Sequence, residues 1–196
     1  ERMDAQPGTS KVPEITIGFW ILKILATTLG ETGGDALSMS MNLGYLLSTG
    51  IFAVIFFFFV ALQVRADHFR PALYWATIIA TTTVGTTLAD YATRSIGIGY
   101  PGGSLLLLTL LGLSLWIWYR DTGTLDVASV SSDKSERYYW LTIMFSQTLG
   151  TALGDWSADS AGLGYVGGSL IFAAGLAIIA AAYRWSNASR VLLFWA

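Results

Sequence analysis

The sequence predicts an all-α transmembrane protein made of three parallel two-helix repeats, six spanning helices in all, plus the start of a fourth repeat. Three observations carry this expectation. Long charge-free runs such as Leu43 to Val64 and Tyr100 to Tyr119 match the roughly 20 apolar residues that a hydrocarbon layer requires. The pattern Trp20, Gly30, Asp35, Tyr45 recurs as Trp75, Gly85, Asp90, Tyr100 and again as Trp140, Gly150, Asp155, Tyr165 with identical internal spacing. Basic residues, finally, fall almost entirely at one end of each unit.

Composition agrees with a lipid solvent. Of 196 residues, 54% are hydrophobic and 12% charged, where a soluble domain carries about 25% charged residues. Cysteine is absent, which excludes disulfides, thiolate metal sites and cysteine nucleophiles together. The one histidine, His68, lies in a polar loop. Residues 1–10 carry no apolar core of a signal peptide, so none is expected.

In order, spans are expected at 14–38, 43–64, 71–95, 100–119, 138–160 and 165–183, within one membrane domain covering 1–196. The first repeat takes 13–64, the second 71–119 and the third 138–183. In each, one helix leads to the aspartate, a glycine-containing turn follows, and a second apolar helix returns after the tyrosine. The pairs Gly44-Tyr45, Gly99-Tyr100 and Gly164-Tyr165 mark that return, and the run Gly102 to Ser104 recurs at Gly167 to Ser169. The longest connector, 120–137, is rich in serine and aspartate and reads as a mobile loop. Trp195 stands 55 residues past Trp140, as Trp75 stands 55 past Trp20, so 190–196 reads as the start of a fourth repeat. Eight tryptophans leave an ordinary interfacial aromatic as the alternative.

These residues resemble a family of bacterial integral membrane proteins of four tandem two-helix repeats, each with a characteristic tryptophan: domain of unknown function 347. The resemblance runs from Lys11 onward and is carried best by GETGGD at Gly30 to Asp35 and GTALGDWSADSAGLGY at Gly150 to Tyr165. It implies the architecture and leaves activity to be argued from the residues.

Orientation follows from charge. Arg2, Lys11, Arg65, Arg70, Arg120, Lys134, Arg137, Arg184 and Arg190 share the side of the N-terminus and the inter-repeat connectors, and Arg94 alone belongs to the other. A multi-pass protein of the bacterial inner membrane with a cytoplasmic N-terminus is expected. All units then point the same way, and four of them could close a pseudo-fourfold ring about an axis along the membrane normal. Each aspartate lies 15 residues beyond its tryptophan, roughly 22 Å along a helix, and so inside the slab if the tryptophans mark the cytoplasmic interface. Lys23, three residues from Trp20, can snorkel to that interface.

Positions three and four apart share a helix face. Thr28 and Glu31 precede Asp35 on its face; Thr83 and Thr86 precede Asp90, with Arg94 beyond; Thr148 and Thr151 precede Asp155, with Asp159 beyond. Facing lipid costs at least about 2.5–3.5 kcal/mol per charge, so these stripes are expected to turn inward. Five acids, Glu31, Asp35, Asp90, Asp155 and Asp159, then meet one base, Arg94. Clustered carboxylates protonate, pair or bind a cation. No cofactor is required by any motif, but carboxylate and hydroxyl oxygens without thiolate suit a bound hard ion such as Mg or Mn, with Asp35, Asp90 and Asp155 as candidate metal ligands.

Two functions remain open at this point. One is transport of a cation, a hard metal ion or a proton-coupled species, with the lipid bilayer as partner and these residues as the ligand set. The other is a non-catalytic accessory or scaffold subunit, part of a homo-oligomer or a larger membrane complex, binding through glycine-rich helix faces. There the Asp90–Arg94 pair is simply a fixed ion pair, and the aspartates cap the turns that follow them. No nucleophile-and-base motif or nucleic-acid signature is present, so no enzymatic activity is expected.

Overall fold

The computed structural model of the protein describes residues 10–160 and 162–195. Among the described residues seven α-helices follow in order: α1 (Ile17–Asp35), α2 (Tyr45–Arg65), α3 (Pro71–Asp90), α4 (Gly99–Thr122), α5 (Asp133–Asp155), α6 (Gly164–Trp185) and the short α7 (Arg190–Trp195). Residues 1–9, Ala161 and Ala196, and with them Arg2, lie outside the described residues. Local signals set the starts. The Thr16 hydroxyl accepts from Phe19 N at 3.2 Å, Pro71 opens α3, and Ser132 with Ser135 forms a reciprocal cap on α5.

Each repeat aspartate is the last residue of its α-helix, and the next five residues wind as a π turn: Ala36–Ser40, Tyr91–Ser95 and Trp156–Ser160. The expected short turn is therefore a widened continuation of the helix. A hydroxyl in each bonds back to a carbonyl before it, Ser38 to Gly34 O at 2.8 Å, Thr93 to Ala89 O at 2.9 Å and Ser157 to Gly154 O at 2.8 Å. Such turns cluster at functional sites. The chain then reverses through Gly44, Gly99 and Gly164, all at positive φ (75°, 66° and 64°), which explains the glycine before each repeat tyrosine.

The first helices of the units stand side by side, α1 against α3 and α3 against α5, while α2 backs onto α3 and α4 onto α5. α3 is thus buried along its length, and α6 only at Gly168. Glycines permit the close contacts: a Cβ at Gly30 would come 2.7 Å from Thr82 Cβ and 2.8 Å from Ile79 O, and one at Gly85 would meet Thr148 Oγ1 at 3.1 Å.

The repeat tryptophans form an aromatic layer at the connector end. Phe19 stacks on Trp75 (5.7 Å between centroids), Tyr74 on Trp140 (5.4 Å) and Trp118 on Trp195 (5.7 Å). Trp140 is fully buried there, so at least this tryptophan seals the core instead of marking a headgroup interface. The 120–137 connector also departs from expectation. Val127 and Val130 are buried in the main core, Ser10 Oγ donates to Val127 O (3.2 Å), and Lys11 N donates to Val130 O (2.9 Å). The segment is docked because its two valines supply the apolar contacts its serines lack.

Among the described residues, three helices are long and apolar enough to cross a membrane: α2, α4 and α6, with mean hydropathies of 2.4, 1.6 and 2.0. α1, α3 and α5 carry more threonine, glycine and charge and do not reach that hydropathy.

Candidate functional site

At the end opposite the aromatic layer the π turns bring the polar residues of units two and three together. Asp90 closes α3 with only 3% of its side chain exposed, and Arg94, one turn later, sets its Nε 2.9 Å from Asp90 Oδ1. The N–H does not point at that oxygen, which is left without a hydrogen bond, so the contact is one of charge. Arg94 Nη2 instead donates to Asp155 Oδ2 at 3.1 Å and lies 3.5 Å from Asp159 Oδ2. Tyr100 OH donates to the same Asp159 oxygen at 2.6 Å, and the guanidinium rests 5.8 Å from the Tyr100 ring centre. One arginine thereby ties three carboxylates from two repeats, as its planar fork of donors permits. The cluster grades outward, from the sealed Asp90 through Asp155 to Asp159, whose side chain is 42% exposed.

Asp35 ends α1 half-buried, with no hydrogen bond or ion pair among the described residues, but within electrostatic reach of Glu31, Asp155 and Arg94. Glu31 and Asp155 line a cavity of about 500 Å³ between α1, α5 and α6, together with Thr82, Gln147, Thr151 and Tyr165. Within it Thr82 Oγ1 donates to Gln147 Oε1 at 2.6 Å, and Gln147 Nε2 finds no acceptor.

The inward stripe holds for α3 and in part for α5. Thr83, Thr86 and Thr148 are buried; Thr83 and Thr148 donate to carbonyls of their own helices at 2.8 and 2.7 Å, and the Thr86 hydroxyl is unpartnered. It fails for Thr28, which is exposed, and Glu31 is open to the cavity, because α1 has a neighbour on one side only. Neither Asp35 nor Asp90 makes a capping hydrogen bond to the turn that follows it. Among the described residues no three Asp, Glu or His side chains are grouped to hold a metal ion. Of the three candidate ligands, Asp90 and Asp155 converge on a guanidinium and Asp35 stands beside them. Sequence reasoning missed Tyr100 as a cluster member although it is a repeat position, and missed Gln147 because nothing in the period marks it.

Comparison with known families matches residues 18–69, 73–124 and 138–189 to a family described as Repeat of Unknown Function (DUF347), in the register read from the tryptophans. No curated protein and no solved structure matches the chain.

Proposed function

The chain belongs to the DUF347 repeat family, and from that premise we propose that it is a polytopic membrane transport protein for a cation, working through the carboxylates gathered at Arg94. The observation that supports this most is the excess of acid over base there: Asp90, Asp155 and Asp159 contact a single arginine, Asp35 lies within its electrostatic reach, and Glu31 and Asp155 line the adjoining cavity. Acids so placed gain from taking up a positive charge, whether a proton or a hard ion exchanged for protons. Arg94 holds Asp90 and Asp155 in place, and Asp35 and Glu31, which no base contacts directly, are the groups free to load. On this reading α1, α3 and α5 cross the membrane as well, shielded by their polar faces meeting, which makes six spans. The N-terminus is then cytoplasmic in a bacterial inner membrane, and no catalytic chemistry is involved.

The fourth repeat belongs to the same proposal. The Gly30 and Gly34 face of α1 packs on α3, whereas a Cβ at the equivalent Gly150 or Gly154 of α5 would meet nothing within 4 Å. α7 lies at the connector end of the bundle, with Trp195 Nε1 donating to Leu125 O (3.1 Å) and Phe194 6.2 Å from Trp20. We read α7 as the first turn of a helix that would lie on α5 as α3 lies on α1, closing a pseudo-fourfold ring.

The test is flux. Reconstituted in liposomes with a pH dye or a Mn²⁺-sensitive dye inside, the protein is expected to move protons or metal ions, and Asp35→Asn and Asp155→Asn to lose most of that movement. Unchanged flux in both variants, or none from the wild type, removes the proposal. One observation favours the accessory-subunit alternative: the same bare glycine face of α5, beside an α6 whose apolar side chains are exposed nearly throughout, suits a partner helix from another protein equally well. Co-purification of a stoichiometric membrane partner in the absence of flux would select it.

A further inference from the structure

At the connector end the aromatic side chains touch in a closed circle. Each unit gives it a pair, Phe19 with Trp20, Tyr74 with Trp75 and Tyr139 with Trp140, and α7 gives Phe194 with Trp195. Trp20 lies on Phe19 (5.3 Å between centroids), Phe19 on Trp75 (5.7 Å), Trp75 on Tyr74 (5.3 Å), Tyr74 on Trp140 (5.4 Å) and Trp140 on Tyr139 (5.1 Å), each edge-on or tilted as aromatic rings prefer. Trp118, near the end of α4, takes the circle from Tyr139 (6.4 Å) to Trp195 (5.7 Å). Phe194, 4.9 Å from Trp195, returns it to Trp20 at 6.2 Å. One side of the circle is sealed: Tyr74, Trp118, Tyr139 and Trp140 are at most 1% exposed, and the Tyr74 and Tyr139 hydroxyls bond each other at 2.6 Å. The other side is looser, with Trp20 39% exposed and Phe194 and Trp195 half-buried. The polar cavity stops short of this circle. Thr27, Thr82 and Gln147, eight residues before each repeat aspartate, line it, whereas one helical turn nearer the aromatics Ile78 and Ile143 are buried core.

Resting on the transport reading, we propose that this aromatic circle is the barrier that closes the cation path towards the connector face, and that α7 is its movable leaf. A narrow apolar constriction expels water, and with the water any hydrated ion. The cavity, walled by Glu31 and Asp155 above and ended by Ile78 and Ile143 below, is then the half of the path that stands open, towards the π turns. The leaf is identified by its footing. Phe19, Trp20, Tyr74, Trp75, Tyr139 and Trp140 stand on α1, α3 and α5, which pack on one another in sequence. Phe194 and Trp195 stand on a helix of six residues, and Trp195 is tied through Nε1 to Leu125 O (3.1 Å), in the connector instead of a helix. Swinging α7 away breaks the circle at Trp118 and at Trp20 without unpacking α3 from α5.

The chain has no cysteine, so single introduced thiols report access without background. Ser131→Cys, exposed in the connector, marks that face, and Thr151→Cys, in the cavity wall, is the reporter. In sealed membrane vesicles given an impermeant, charged thiol reagent on one side, Thr151→Cys is expected to label from the face opposite Ser131→Cys and not from the connector face. Trp195→Ala added to Thr151→Cys is expected to open labelling from the connector face as well, and Trp195→Phe, which keeps a ring in place, to leave it closed. Phe194→Ala is expected to act as Trp195→Ala does and replaces it if that variant does not fold. Any other sidedness of Thr151→Cys, or a connector face that stays closed in both alanine variants, overturns the proposal. Labelling needs no flux, so the two readings fail separately. A chain that moves no ion yet shows this one-sided access loses the transport reading alone, and one that moves ions with Thr151→Cys open to both faces loses the barrier alone.

Discussion

The two ends of the bundle solve one problem in opposite ways. At the connector end Glu136 and Lys11 are both nearly sealed, with side chains 1% and 8% exposed, under an aromatic layer that includes Trp140. At the π-turn end Arg94 and Asp159 remain 30% and 42% exposed, although the same guanidinium also touches the sealed Asp90. A sealed pair resists both water and screening and so acts as a latch; a graded cluster, buried at one side and wet at the other, can change its charge. The contrast teaches that burial of a charge in this protein is set by what covers it and not by its repeat position.

Breaking the latch should have the largest effect. Removing one partner of a buried pair costs about 3–5 kcal/mol, because the other is left charged and uncompensated. The two halves differ, however. Glu136 is fixed in α5, whereas Lys11 can retreat to water. Lys11→Ala is therefore expected to destabilise more than Glu136→Ala, as read by chemical or thermal unfolding of the purified chain. The reverse order would mean that the segment before α1 holds Lys11 rigidly.

The openness of the π-turn end has a rival cause, namely that no helix covers α5 on its cavity side. Paired glycine variants separate the two. Gly30→Ala places a methyl 2.7 Å from Thr82 Cβ and against Ile79 O, an overpacking expected to cost about 1–3 kcal/mol. Gly150→Ala meets nothing within 4 Å and is expected to stabilise the helix slightly, by up to about 1 kcal/mol. Should Gly150→Ala in this chain destabilise as Gly30→Ala does, its face is occupied in solution by another copy, and the exposure at Asp155 and Glu31 is not intrinsic.

Arg94→Gln comes next in stability and first in function. With the arginine partly wet, the loss is expected between the exposed and the sealed limits, about 1–2 kcal/mol. Flux should change far more than stability, because Asp90 and Asp155 lose their shared anchor. If instead Arg94→Gln costs as much as Lys11→Ala and leaves flux untouched, the two ends are the same kind of structural pair and the contrast between them disappears.

Much of this was legible in the residues. The repeat period located every helix because a tandem array must place equivalent residues in equivalent turns, and the Asp90–Arg94 spacing of one turn announced a contact. The π turns were not legible. They leave no hydrophobic period, and the hydroxyl bonds of Ser38, Thr93 and Ser157 do not mark them either, since Thr77, Thr83 and Thr148 make the same kind of bond inside regular helix. Nor was the latch, since Lys11 and Glu136 lie 125 residues apart and outside the pattern. The docking of the 120–137 connector hid behind its polar composition because two valines, Val127 and Val130, outweigh five serines and aspartates that can remain in water.

The smallest effect makes the sharpest test of how neighbours decide. Thr28 and Thr148 occupy the same position relative to their repeat aspartates, yet Thr28 is exposed and Thr148 is fully buried where Gly85 passes it. Thr148→Val keeps the shape, removes a hydroxyl bonded to Met144 O, and puts a methyl where Gly85 crosses, so about 1 kcal/mol is expected. Thr28→Val replaces a hydroxyl on an open face and should change unfolding by less than about 0.5 kcal/mol. Equal costs at the two sites would show that α1 is covered in the folded protein as α5 is by α3, and with that the inward stripe expected from the spacing would be restored.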